Sequence, residues 1–302
     1  MAFESIADAA RRLSEAGYFA SPSVVTSVFL ATRLEKPVLV EGPAGVGKTE
    51  LALATARATG RTLVRLQCYE GLDESRALYE WEYAKQLLYT QVLRDRIGEA
   101  IRDAATLAEA VERIGESESA FFSERFLLPR PIMRAILAEE PVVLLVDEID
   151  KADPEFEAFL LEVLADFAVT VPEIGTFRAR QRPLVFLTSN AVRELSDALR
   201  RRCLYLYLDY PSPAQELEIV RARVPGIGEG LARRLVEAVQ KLRQLDLKKV
   251  PSIAETVDWA RALVLLGASE LDVDTVSETL TLLLKHEGDA RRAMERYSEW
   301  AR

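Results

Sequence analysis

The chain has 302 residues, 49% hydrophobic and 29% charged, enough to bury one large core and a smaller second one. Its net charge of -9 argues against the general attraction to phosphate that a nucleic-acid coating protein needs, leaving only a local basic groove for such a role. Cys68 and Cys203 stand far apart outside any CxxC pattern, and His286 is the single histidine, which argues against a structural zinc site or a disulfide framework.

Residues 3–16 and 22–34 read as helices. The first is amphipathic and lacks the apolar core of a signal peptide, and no apolar run reaches the roughly 18 to 20 residues of a membrane span, so the expected location is cytoplasmic. "PVLV" reads as a short buried strand, residues 48–59 as a helix and "RTLVRLQ" as a second strand. Residues 75–115 carry a helical pattern, one helix or two, before a third strand in "PVVLLVDEID". Residues 168–182 alternate like a hairpin turning at Gly175, with Arg178, Arg180 and Arg182 on one face. "RPLVFLTSN" and "CLYLYLDYP" are the fourth and fifth strands. Apolar strands separated by helices require a parallel sheet covered on both faces. The expected fold class is therefore α/β, with five parallel strands. Pro211 and Pro213 break the chain, and the pattern beyond them is helical: 214–224, 229–245, 252–266, 272–284 and 288–301. Two units are expected, an α/β core over residues 1–210 and a small all-α domain over 211–302.

The chemistry concentrates in "GPAGVGKT", residues 42–49, set between a strand and a helix. Gly42, Pro43, Ala44, Gly45, Val46, Gly47, Lys48 and Thr49 fit G-x-x-x-x-G-K-[ST], a loop whose backbone N–H groups wrap phosphates at a helix N-terminus. Lys48 is expected to reach the β- and γ-phosphates and Thr49 to ligate Mg²⁺, with Glu50 beside them at the start of the helix. The strand "VVLLVD" delivers Asp147 and Glu148 at its C-terminal end, where sites in open α/β sheets form. Asp147 is expected to share the Mg²⁺ with Thr49, and Glu148 to orient the attacking water. Asp150 reads as structural, associated with the helix that begins near Asp153 and Pro154. Asn190, ending the fourth strand, is placed to touch both the water and the γ-phosphate, although turn chemistry also explains an Asn there. Arg200, Arg201 and Arg202 precede the last strand, where an arginine can serve a neighbouring subunit's site or simply match the helix dipole.

Taken together these segments resemble the AAA+ ATPases of the MoxR family: "GPAGVGKT" as Walker A, "LLVDEID" as Walker B, "LTSN" as sensor 1, "ALRRRC" as the arginine-finger region, then a helical lid. A finer likeness, to the CoxD-like branch, rests on "LQCYEGLDESRALYEWEYAKQLL", "DEIDKADPEFEAFLLEVLADFAVTVPEIGT" and "PSIAETVDWARAL". The resemblance implies an ATPase that binds ATP and Mg²⁺, assembles into a ring, usually a hexamer, and acts as a chaperone maturing a metalloenzyme, commonly with a von Willebrand factor A domain partner. For the CoxD-like branch the implied client is a molybdenum-containing carbon monoxide dehydrogenase. The trans-acting finger is expected at Arg202, with Arg201 as the alternative. Ala254 and Glu255 stand where the lid's sensor 2 arginine is expected, and Arg261, further along the same helix, is its candidate replacement. Two other functions stay open: a DNA-processing AAA+ motor, and an ATP-gated scaffold without turnover, which the Asp147–Glu148 pair disfavours.

Overall fold

A computed structural model of the chain describes residues 2–92, 106, 123–172 and 174–300. Helix α1 (Ile6–Glu15) begins where Ser5 accepts the N–H of Asp8, and α2 (Pro22–Leu34) where Ser21 accepts that of Val24 and Pro22 takes a first-turn position. Strand β1 (Val38–Glu41) leads through the glycine loop into α3 (Lys48–Thr59), which Gly60 ends before β2 (Thr62–Gln67).

The helical reading of residues 75–115 is corrected here. Helix α4 (Glu74–Leu78) lasts five residues, β3 (Tyr79–Trp81) interrupts it, and α5 (Tyr83–Val92) follows. Strand β3 pairs antiparallel with β4 (Leu127–Pro129), setting Tyr79 opposite Pro129 and Trp81 opposite Leu127. A distant partner thus overrides local helical periodicity, because aromatic residues are stabilised by cross-strand packing. Beyond Val92 the predicted helical stretch lies outside the described residues, Thr106 excepted.

Helix α6 (Pro131–Ile136) precedes β5 (Val142–Asp147), and α7 (Pro154–Asp166) precedes the hairpin β6 (Ala168–Val171) and β7 (Gly175–Arg178). Gly175 is not the turn: it opens β7 opposite Val171. The three arginines do not share a strand face, since β7 ends at Arg178 and Arg182 lies back over the Phe167 ring, 5.5 Å from its centroid. Strand β8 (Leu184–Ser189), helix α8 (Asp197–Arg202) and β9 (Leu204–Tyr207) complete the core.

Five parallel strands make the main sheet, in the order β2-β5-β8-β1-β9. The three central strands are buried throughout, whereas β2 and β9 at the edges alternate. Period-two geometry sorts their side chains: Val38, Val40, Val143, Leu145 and Phe186 pack toward α1, α2 and α3, while Leu39, Leu144, Val146, Val185 and Leu187 pack toward α6 and α7. The order also sets β8 between β1 and β5, so the residue after β8 falls between the glycine loop and the acidic pair.

The helices that follow carry a separate core. They are α9 (Pro213–Arg223), α10 (Glu229–Leu242), α11 (Ile253–Leu265), α12 (Val273–Leu283), α13 (Glu287–Glu295) and α14 (Tyr297–Trp300). Leu235, Val239, Trp259, Leu263, Val276, Leu280 and Trp300 fill it. The last predicted helix is split at Arg296. Glu216 is wholly buried and accepts two hydrogen bonds from Arg243, at 2.6 and 2.7 Å, and one from Thr256. Among the described residues, no helix is long and apolar enough to cross a membrane.

Candidate nucleotide site

The glycine loop has close walls. A Cβ at Gly42 would sit 1.9 Å from the backbone oxygen of Leu208, and one at Gly45 would sit 2.4 Å from the side chain of Ser252. The first neighbour is main chain beyond β9 and cannot yield; the second belongs to the helical domain, which therefore rests directly on the loop. Past the loop a cavity of about 500 Å³ extends between Tyr18 and Phe19, the segment Tyr207–Pro211, and Ile253, Ala254 and Val257 of α11. Glycine backbone at one end and an apolar chamber at the other match a nucleotide, with phosphates on the loop and the base in the chamber.

Lys48 is 6% exposed and donates three hydrogen bonds of 2.7 Å, to the carbonyls of Gly42 and Pro43 and to Asn190 Oδ1. Burial pulls its pKa below the ordinary lysine range, while the charges of Asp150, Asp147 and Glu148 act the other way. Asp147, 2% exposed, is held on all sides. Its Oδ1 accepts from Thr49 at 2.9 Å and from Thr188 at 2.5 Å, and its Oδ2 accepts from Arg65 at 2.6 Å. The hard oxygens of Thr49 and Asp147, side by side, are of the kind that would hold Mg²⁺. Among the described residues there is no cluster of three or more His, Cys, Asp or Glu side chains that could hold a metal alone.

Glu148 adopts the left-handed conformation, φ 57°, and its N–H donates to Thr188 Oγ1 at 2.8 Å. Its Oε2 accepts from Gln67 at 2.9 Å and Lys151 at 2.6 Å, and its Oε1 from Asn190 Nδ2 at 3.2 Å. That ion pair holds the Lys151 ammonium above its usual range. Asn190 thus joins the loop lysine to the acidic pair through one amide.

The arginines separate. Arg200 is bound within the chain, to Glu41 at 2.8 Å and over the Tyr205 ring. Arg202 donates to the carbonyl of Leu161 at 3.0 Å. Arg201 is exposed, with no hydrogen bond or ion pair to the described residues. Arg261 lines the nucleotide-sized cavity and is paired, 3.4 Å away, with Asp258 on its own helix. Sequence reasoning missed Arg223, which lines the same cavity and donates to Glu50 Oε1 at 2.6 Å, a carboxylate that also receives Arg57 at 2.6 Å. It missed Arg65, Gln67 and Thr188 as well; their positions on strands neighbouring β5 became meaningful only once the sheet order was known.

Residues 37–203 match the family described as AAA domain (dynein-related subfamily). The gas vesicle ATPase GvpN1 of Halobacterium salinarum is 27% identical over 258 residues, 81% of this chain and 65% of that protein. The gas vesicle ATPase GvpN of Haloferax mediterranei is 29% identical, covering 69% of this chain and 57% of its own length. Protein NorQ of Paracoccus denitrificans is 25% identical over 69% of this chain and 65% of its own length. The chain therefore spans under two thirds of the length of these relatives. With the strand order, the glycine loop and the acidic pair in place, the family match settles the class: the chain belongs to the dynein-related subfamily of AAA domains, in line with its resemblance to MoxR-like AAA+ proteins.

Proposed function

We propose that the chain hydrolyses ATP between the glycine loop and the Asp147–Glu148 pair and uses the cycle to remodel a client protein, a metalloenzyme under maturation. The observation that carries this reading is Asn190, whose amide meets Lys48 at 2.7 Å and Glu148 at 3.2 Å. Lys48 and the loop N–H groups bind and orient the phosphates. Glu148, set at the edge of the site by its left-handed backbone, positions water in line with the γ-phosphate, and Asn190 keeps that carboxylate in register with the phosphate end. Thr49 and Asp147 would hold Mg²⁺, which would neutralise phosphate charge when bound. A core over residues 1–210 and a lid over 211–302 enclose the nucleotide, with Arg223 and Arg261 facing it from the lid. An arginine of α8, Arg201 or Arg202, completes the site of the next copy in a ring, a hexamer in this reading.

The CoxD-like segments support a metalloenzyme client, such as a molybdenum-containing carbon monoxide dehydrogenase, and a von Willebrand factor A domain partner. A second reading follows from the likeness to two proteins named gas vesicle ATPases, in which the client is a gas vesicle component. Glu148→Gln, which retains nucleotide without turnover, serves as a trap in the native host. Recovery of a metalloenzyme or its partner supports the first reading, a gas vesicle component the second. Hydrolysis stimulated by DNA and lost at raised salt would replace both with a nucleic-acid motor.

A further inference from the structure

Asp150 does not cap the helix it precedes in sequence. The cap position of α7 is Asp153, whose Oδ2 accepts instead from the N–H of Gly71 at 3.1 Å. Asp150 turns the other way, across to the end of β8. Only 4% exposed, it accepts through Oδ2 from the backbone N–H of Asn190 at 3.1 Å and that of Val192 at 2.9 Å. Between these two donors Ala191 is left-handed, φ 56°, and its N–H donates to Ser189 Oγ at 2.9 Å. Three consecutive backbone donors thus end on two side chains. A non-glycine residue with positive φ is retained where its surroundings impose it.

The consequence for Asn190 is geometric. Its side chain reaches two partners on different strands, Lys48 after β1 and Glu148 after β5, with little slack in either bond. Its backbone is fastened to Asp150, two residues beyond Glu148. The carboxylate of Asp150 therefore measures the distance between the ends of β5 and β8, and hence between the base and the amide. Its other oxygen, Oδ1, is buried without a hydrogen-bond partner among the described residues, so the two backbone N–H groups are what hold this carboxylate in place.

We propose that Asp150 is a positioning residue for ATP hydrolysis, acting through Asn190: by clamping the N–H groups of residues 190 and 192 it aims the Asn190 amide at Lys48 and Glu148. This rests on the site reading given above, in which Asn190 and Glu148 serve the attacking water. It accounts for a third acidic residue in "DEID" that touches neither phosphate nor the expected metal position.

The test compares kcat and nucleotide affinity in Asp150→Ala, Asp150→Ser, Asp150→Asn, Asn190→Ala and the double variant Asp150→Ala/Asn190→Ala, using the full chain as the assembled oligomer. Misplacing Asn190 by an ångström should lower kcat about tenfold to hundredfold in the alanine and serine variants, with ATP affinity held within about threefold. Asp150→Asn keeps the acceptor and should retain kcat within about threefold. The double variant should be no slower than Asn190→Ala alone, since both lesions remove one function. Multiplying defects in the double variant, equal losses in Asp150→Asn and Asp150→Ala, or a loss of affinity without a loss of kcat would each overturn the proposal. Asn190→Ala separates the two levels. If it is slow while Asp150→Ala and Asp150→Ser turn over normally, only the role of Asp150 fails; if it is itself fully active, the site reading fails too.

Discussion

The Arg65 guanidinium lies 2.6 Å from Oδ2 of Asp147, so the carboxylate expected to meet Mg²⁺ already holds a cation from the neighbouring strand. Arg65 is half exposed and also donates to Gln67 Oε1 at 2.7 Å. A divalent cation held by Thr49 and Asp147 would be repelled by the Arg65 charge on the same carboxylate. Arg65→Met should therefore lower the Mg²⁺ concentration for half-maximal nucleotide binding, by about two- to fivefold given the exposure of the pair. Titration of Mg²⁺ at fixed nucleotide checks this; a raised requirement would mean that Arg65 supports the metal.

Lys48 and Glu148 sit at opposite ends of the Asn190 amide and should fail differently. Lys48→Ala removes a buried ammonium aimed at the loop and should weaken ATP binding about tenfold or more. Glu148→Gln keeps the loop intact and should bind ATP normally while losing about a hundredfold or more in kcat. Equilibrium binding beside steady-state turnover distinguishes them, and equal losses of affinity would reverse the assigned roles.

Among the described residues Arg201 is the arginine of α8 whose head group has no hydrogen-bond or ion-pair partner, whereas Arg202 is engaged by the carbonyl of Leu161. Arg201→Ala should accordingly lose more turnover than Arg202→Ala, approaching about a thousandfold if it acts on the neighbouring site, with binding unchanged. Mixing it with Glu148→Gln subunits should restore part of the activity, because some interfaces then combine an intact finger with an intact base. Normal hydrolysis by a purified Arg201→Ala oligomer would return the role to Arg202.

Gly45 and Ser252 mark where the helical domain meets the loop. A Cβ at residue 45 would lie 2.4 Å from the Ser252 side chain, at φ 76°. Gly45→Ala should cost about 1–3 kcal/mol and weaken nucleotide binding, and Ser252→Gly in the same chain should recover the steric part but not the backbone strain. Thermal melts of the single and double variants resolve the two contributions.

Glu157 is 3% exposed and accepts from the Ser196 N–H at 2.7 Å and Arg193 at 2.9 Å. Burial opposes its charge, yet these bonds and the arginine charge hold its pKa below the usual glutamate value of 4.5. A depressed carboxylate contributes stability above its unfolded pKa and loses it as pH falls through the folded one, so the contribution should fade below about pH 4.5. Glu157→Gln should be less stable at neutral pH and flatten the acid limb of a pH–stability profile; an unchanged limb would remove Glu157 as a contributor.

What the sequence by itself determined was local. Gly42 to Thr49 read as a phosphate loop because strand, glycines, lysine and helix are contiguous, and Asp147 and Glu148 read as a strand-end pair because the apolar run before them is unbroken. The five parallel strands followed from the same alternation. Tertiary structure decided everything that depends on which strands are neighbours. Arg65 and Thr188 meet Asp147 because β2 and β8 flank β5, a strand order that periodicity does not encode. Tyr79–Trp81 became a strand because Leu127–Pro129, far along the chain, supplied its hydrogen bonds. Asp150 left its apparent place at a helix start because two backbone donors just past the end of β8 took its carboxylate instead. Backbone propensity acts over a few residues, whereas buried polar groups take whichever partner the packed fold brings within reach, and that choice is made only after the chain has closed.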